Sequence, residues 1–217
     1  MSRDRRRITS SSRRDTRRAI SGRRSSARPG SAHKRRGLGL AEGRPFDAPE
    51  VWHEPRGDGQ LRFTVQPAGK GYVHPVTIEE VAERISKLPE EFQAGVESVQ
   101  FSRITRKRKL FPCYGLQWGT AVYLYPIEDS LEELYGRAPS PEQRIETEMF
   151  GGRWVKDGKC WWLIWNEHTI RDYYLNNVLI HEIGHINDSR NTRFVDRERY
   201  ANWFAIEYGY RASRGLL

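Results

Sequence analysis

The chain has 217 residues, with 37 Lys+Arg against 28 Asp+Glu, a formal net charge of +9, and 37% hydrophobic residues. The positive charge is local: residues 1–45 hold fifteen of the basic side chains and only Asp4, Asp15 and Glu42 on the acidic side, which leaves the other 172 residues with 22 basic and 25 acidic ones. This excludes a uniformly basic globular domain, and no apolar run approaches the roughly 18–20 residues of a membrane helix. The basic start lacks the apolar segment of a secretory signal. Two cysteines, Cys113 and Cys160, make neither a disulfide framework nor a cysteine-type zinc site. No membrane association and a reducing, cytoplasmic compartment are the expectations.

Residues 1–45 are dominated by Arg, Ser and Gly and bury too little to offset ordering entropy, so a disordered tail is expected. Such an arm can bind nucleic acid by releasing counterions from phosphates. It has no interleaved aromatics for base stacking, and the alternative is a solvated extension. Its Arg/Ser-rich, acid-poor composition is also that of an organellar transit peptide. Residues 46–71 hold Pro49, Pro55 and Pro67 around Leu61–Val65 and read as a linker with one short strand.

The folded body is expected over 72–217. Thr77-Ile78-Glu79-Glu80 is a capping box, and Val81, Ile85 and Leu88 follow at helical spacing until Pro89. Residues 97–104 read as a strand, Arg106-Lys107-Arg108-Lys109 as a solvated turn, and 110–118 and 120–125 as strands. Residues 130–135 and 141–150 read as short helices. Arg153–Val155 and Cys160–Trp165 make a hairpin, with Asp157-Gly158 suited to a type I′ turn. The second hairpin strand is apolar throughout and should be central, with its tryptophans in the core.

From about Ile170 the pattern is helical, and His181-Glu182-Ile183-Gly184-His185 lies within the apolar face of Leu175, Val178, Leu179, Ile183 and Ile186. Positions i and i+4 share one helix face, so the two imidazoles can bind a single Zn²⁺. Glu182 then stands beside the metal as general base, which requires that it not be a ligand. Gly184 permits another chain segment to approach the helix closely.

A catalytic zinc usually takes three protein ligands and a water. No histidine follows His185, and Asp188 and Asn191 stand where the metzincin extension needs Gly and His. A downstream carboxylate is therefore required. Glu198 is the preferred candidate, with Asn202 four residues on as a hydrogen-bonding partner for it. Ala201 and Ala205 provide a small-residue face for close helix packing. Glu207 is the runner-up, on the opposite side of a regular helix, and Asp188 and Asp196 are further alternatives. His168, Tyr173, Tyr174 and Arg171 lie ahead of the motif and are candidates for an oxyanion donor.

His181-Glu182-Ile183-Gly184-His185 followed by Glu198-x-x-Ala201-Asn202-x-Phe204-Ala205 resembles the ImmA/IrrE group of zincin-like metallopeptidases. The resemblance covers about residues 160–210. It implies an α+β fold with a gluzincin-type core: a small mixed β-sheet, an HExxH active-site helix and a following ligand helix. It would make His181, His185 and Glu198 zinc ligands and Glu182 the base of a peptidase acting on a protein or peptide. A different class of function, a nucleic-acid-associated regulatory protein using the basic arm with a structural or silent zinc site, is compatible with the same residues.

Overall fold

Along the chain the elements are β1 (Arg62–Val65), β2 (Tyr72–Val73), α1 (Ile78–Ser86), α2 (Glu90–Gln93), β3 (Ser98–Phe101), α3 (Arg106–Leu110), β4 (Gly115–Trp118), β5 (Ala121–Leu124), β6 (Ile127–Glu128), β7 (Glu132–Tyr135), α4 (Pro141–Met149), β8 (Arg153–Asp157) and β9 (Cys160–Ile164). A long helix follows, made of α5 (Glu167–Tyr173), a π turn (Tyr174–Val178) and α6 (Leu179–Asn187). The last is α7 (Phe194–Phe204), which runs into a π segment (Ala205–Arg211). The computed structural model describes residues 48–110 and 112–216. The tail expected over 1–45 lies outside the described residues.

The architecture is α+β. In the main sheet, ordered β1-β3-β5-β4, the first three strands run parallel and β4 closes one edge antiparallel to β5. β3 and β5 are buried along their whole length, as strands covered on both faces must be. Successive residues of β5 point to opposite faces. Val122 and Leu124 join the large core with Val99, Phe101, Val178, Leu179 and Ile183, while Ala121 and Tyr123 pack with Leu116 and Tyr125 on the other face. A second, antiparallel sheet has the order β7-β9-β8, and β2 pairs with β6. Among the described residues no helix is long and apolar enough to cross a membrane.

Several local readings are realised and several are revised. The capping box at α1 is formed, with Thr77 accepting from the Glu80 amide and Glu80 from the Thr77 amide. β9 is central, as its apolar run requires. The hairpin turn is shifted by one residue. Asp157 pairs with Cys160, so Gly158 and Lys159 are the central residues, and only Gly158 has positive φ (58°), the φ pattern of a type II′ turn. Residues 132–135 form a strand instead of a helix, because β9 takes β7 as its second neighbour and ladder pairing overrides the helical propensity of Leu-Glu-Glu-Leu.

The basic cluster is a helical turn rather than a solvated one. Arg108 faces inward, with its Nη2 donating to the Tyr125 hydroxyl (2.8 Å) and its Nε 3.2 Å from Glu50. The short strand expected within residues 46–71 is formed, as the edge strand β1 of the main sheet. Just before it, residues 50–53 lie over the second face of the sheet: Tyr125 donates to Glu50, His53 bonds Gln100 (2.7 Å), and the Trp52 and Trp118 rings meet edge to face at 5.5 Å.

Candidate metal centre

The helix that carries the motif is fixed at its start and crowded along its length. Asn166 caps α5, accepting from the Thr169 amide. Ile170, Tyr173, Tyr174, Val178, Leu179, Ile180 and Ile183 are buried and press the helix onto the sheet. α7 crosses α6 closely because Gly184 has no side chain. A Cβ there would lie 3.0 Å from Phe204 Cβ and 3.1 Å from Ala201 Cα. Ala201 and Ala205 are themselves buried, as the small-residue face of this helix suggests.

This crossing brings three ligating groups together. His181 Nε2 and His185 Nε2 are 3.1 Å apart, Glu198 Oε1 is 3.1 Å from His185 Nε2, and Glu198 Oε2 is 3.7 Å from His181 Nε2. The ligand atoms of these residues all lie within 4.8 Å of one another. Two ligands at about 2.0–2.1 Å from a tetrahedral zinc are about 3.3 Å apart, so the His181–His185 separation and the nearest approach of the carboxylate to each imidazole are of the size such a site needs. The donor set points the same way. Imidazole lone pairs and a carboxylate aimed at one another repel unless a proton or a cation stands among them. The side chains of His181, His185 and Glu198 are 1%, 7% and 16% exposed, so the cluster opens to solvent on the Glu198 side.

Glu182 is fully buried and stays outside the cluster. Its carboxylate lies under β4, where a Cβ on Gly115 would fall 2.7 Å from Glu182 Oε1 and 2.8 Å from Val178 Cγ1. Gly115 thus sets how near the edge strand approaches Glu182. The clue in the sequence is an isolated glycine within an apolar strand pattern, a mark of close backbone approach. Arg197 carries no local sequence signal of a place at the cluster. Its Nη2 donates to the His185 carbonyl (3.3 Å) and to Gln117 Oε1 on β4 (3.4 Å), placing a guanidinium at the rim of the cluster.

The remaining candidates lie elsewhere. Glu207 is on the π segment and pairs with Arg211 (3.0 Å). Asp196 pairs with Arg199, and Asp188 accepts from the backbone and side-chain amides of Asn191. Asn202 is exposed. His168 is exposed on the first turn of α5, thirteen residues and about 20 Å along the helix from His181. Tyr173 is buried and donates to Glu146 (2.8 Å), Tyr174 donates to the Tyr125 carbonyl (2.7 Å), and Arg171 pairs with Glu80 (3.1 Å). These partners of Tyr173, Tyr174 and Arg171 lie away from the His181–His185 pair.

Comparison with models of known families, with curated proteins and with solved structures gives no match.

Proposed function

We propose that this chain is a zinc-dependent peptidase with His181, His185 and Glu198 as the metal ligands and Glu182 as the general base. The observation that carries the reading is the convergence of the three ligating atoms beside a fully buried glutamate that does not share in them. The resemblance to zincin-like metallopeptidases supports it, and so does the match of the ligand separations to a tetrahedral ion. Bound there, zinc would lower the pKa of water toward about 7 and polarise a peptide carbonyl.

The protein groups have separate tasks in this reading. Glu182 takes a proton from the attacking water and delivers it to the amine nitrogen of the leaving group, a transfer for which its place next to the ligands suits it. β4 is the terminal strand of its sheet, so an extended peptide can add to its outer edge and lie along the cluster. Cys113 and Cys160 are both free, which agrees with a reducing compartment such as the cytoplasm.

Metal analysis of the full chain tests the assignment. Wild type is expected to hold about one zinc, and His185→Ala and Glu198→Ala to lose it. Glu182→Gln is expected to keep the metal while peptide hydrolysis falls by about 10²–10⁴-fold. A Glu182→Gln protein as active as wild type would refute the mechanism, and a Glu198→Ala protein that retains zinc would refute the ligand. The concentration of positive charge in residues 1–45 supports a second role, nucleic-acid binding by the arm, which could bring the peptidase to targets on DNA or RNA.

A further inference from the structure

Arg197 is held at the rim of the cluster with most of its hydrogen-bonding capacity unused. Its neighbour in sequence is the ligand Glu198, and it is half-buried. Among the described residues it forms no ion pair, and only Nη2 is engaged, through two long contacts to neutral acceptors at 3.3 and 3.4 Å. The other charged groups of this helix behave differently: Arg199 and Arg193 pair with Asp196, and Arg211 pairs with Glu207. A guanidinium carries five N–H donors in a planar fork suited to a carboxylate. Nε and Nη1 have no protein acceptor among the described residues, and on a half-buried side chain they are open to solvent and to an incoming anion.

The strand beside it says where that anion would be. Gly115 of β4 lies against Glu182, and Gln117, two residues along the same face, touches Arg197. Two residues of a strand span about 7 Å. A peptide paired with β4 and placed for attack beside Glu182 therefore passes Arg197 about two residues from its scissile bond.

From this geometry we propose that Arg197 is the specificity-determining residue of the site and binds a carboxylate of the peptide substrate about two residues from the bond that is cut. The inference rests on the peptidase reading above. Gln117 and the His185 carbonyl hold Nη2 in place, and the remaining N–H groups, on Nη1 and on Nε, lie on different edges of the guanidinium, so the carboxylate is received by one of them through a single charge-assisted hydrogen bond. The carboxylate is supplied either by an acidic side chain or by the peptide's C-terminus.

The test uses the full zinc-loaded chain carrying Glu182→Gln, so that binding is measured without turnover. The probes are matched peptide pairs: amidated hexapeptides with Glu or Gln scanned through each position, and a peptide lacking acidic side chains with a free or an amidated C-terminus. Calorimetry reads binding. At least one carboxylate member is expected to bind about tenfold more tightly than its neutral partner, the scale of a single charge-assisted hydrogen bond. The first series reports a side-chain carboxylate and the second a terminal one.

Adding Arg197→Gln should erase the preference with zinc content unchanged, and Arg197→Lys should keep part of it. Equal binding within every pair, no binding of any probe, or a preference that survives Arg197→Gln would overturn the proposal. The two readings fail separately. A chain with active Glu182 that shows the preference yet hydrolyses no peptide removes the peptidase reading alone. One that hydrolyses peptides without regard to the carboxylate removes the role of Arg197 alone.

Discussion

Glu133 carries a carboxyl enclosed in the protein although the residue as a whole is only half-buried. Burial is the main cause that raises its pKa from 4.5 to about 7, partly offset by the hydrogen bond it accepts from the Tyr114 hydroxyl. A carboxyl whose pKa is higher in the folded chain favours the fold while it is protonated. The contribution of Glu133 to stability is thus greatest below pH 4.5 and falls as pH rises through the window to about 7. The span corresponds to about 3 kcal/mol, at 1.36 kcal/mol per unit. Glu133→Gln is expected to flatten this part of the stability–pH curve, so that the variant gains on wild type between pH 5 and 8 in urea melts. A difference between the two proteins that does not change with pH would contradict the assignment. Tyr114 adjoins Gly115, so this titrating contact stands next to the residue that touches Glu182.

At the scale of elements, both helices that carry the His181–His185–Glu198 cluster depart from regular winding, and the departures meet. The π turn before α6 and the π segment after α7 touch where Gly209 faces Asn176. A Cβ on Gly209 would fall 1.9 Å from the Asn176 carbonyl oxygen. Arg84 of α1 ties the same place together, donating from Nε to Asn176 Oδ1 (2.6 Å) and from Nη2 to the Tyr208 carbonyl. Burial lowers its pKa to about 10, which leaves it charged at neutral pH.

Helix propensity alone says that Gly209→Ala should stabilise by about 1 kcal/mol. The contact with Asn176 says that it should destabilise by about 3 kcal/mol, because the obstacle is backbone. Thermal melts decide by the sign of the change.

The sequence makes the His181–His185 helix and the β8–β9 hairpin legible because periodicity and turn chemistry are local. Glu198 is legible from the requirement for a third ligand together with the small-residue face beside it. The π turns are not, since no residue pattern distinguishes Tyr174–Val178 from an ordinary helical turn. Tyr173 illustrates the converse: eight residues before His181 is near in sequence, but along a helix it is about 12 Å away. Gly115 and Arg197 act on the centre only through the packing of β4 and α7 against α6, which no window of sequence contains.

At the scale of the molecule, charge and chemistry are segregated. The +9 of the whole chain becomes a small net negative charge once residues 1–45 are removed. The full chain is expected to bind duplex DNA or RNA at about 50 mM salt and to lose about a thousandfold in affinity by about 200 mM if some six phosphates are engaged. A chain starting at residue 46 should not bind under the same conditions while still taking up zinc. Binding that survives the deletion, or that ignores salt, would place recognition in the body instead.

The crossing of the two ligand helices has a thermodynamic consequence. It is set by Gly184 against Ala201 and Phe204 at one level and by Gly209 against Asn176 at another, contacts in which no metal ligand takes part. Small zinc domains spend the free energy of metal uptake on ordering a chain that is unfolded without it. Here the two imidazoles and the carboxylate are brought together by apolar packing, so on the proposed reading the free energy of capturing an ion would appear as affinity, and a chelator is expected to abolish hydrolysis without unfolding the chain.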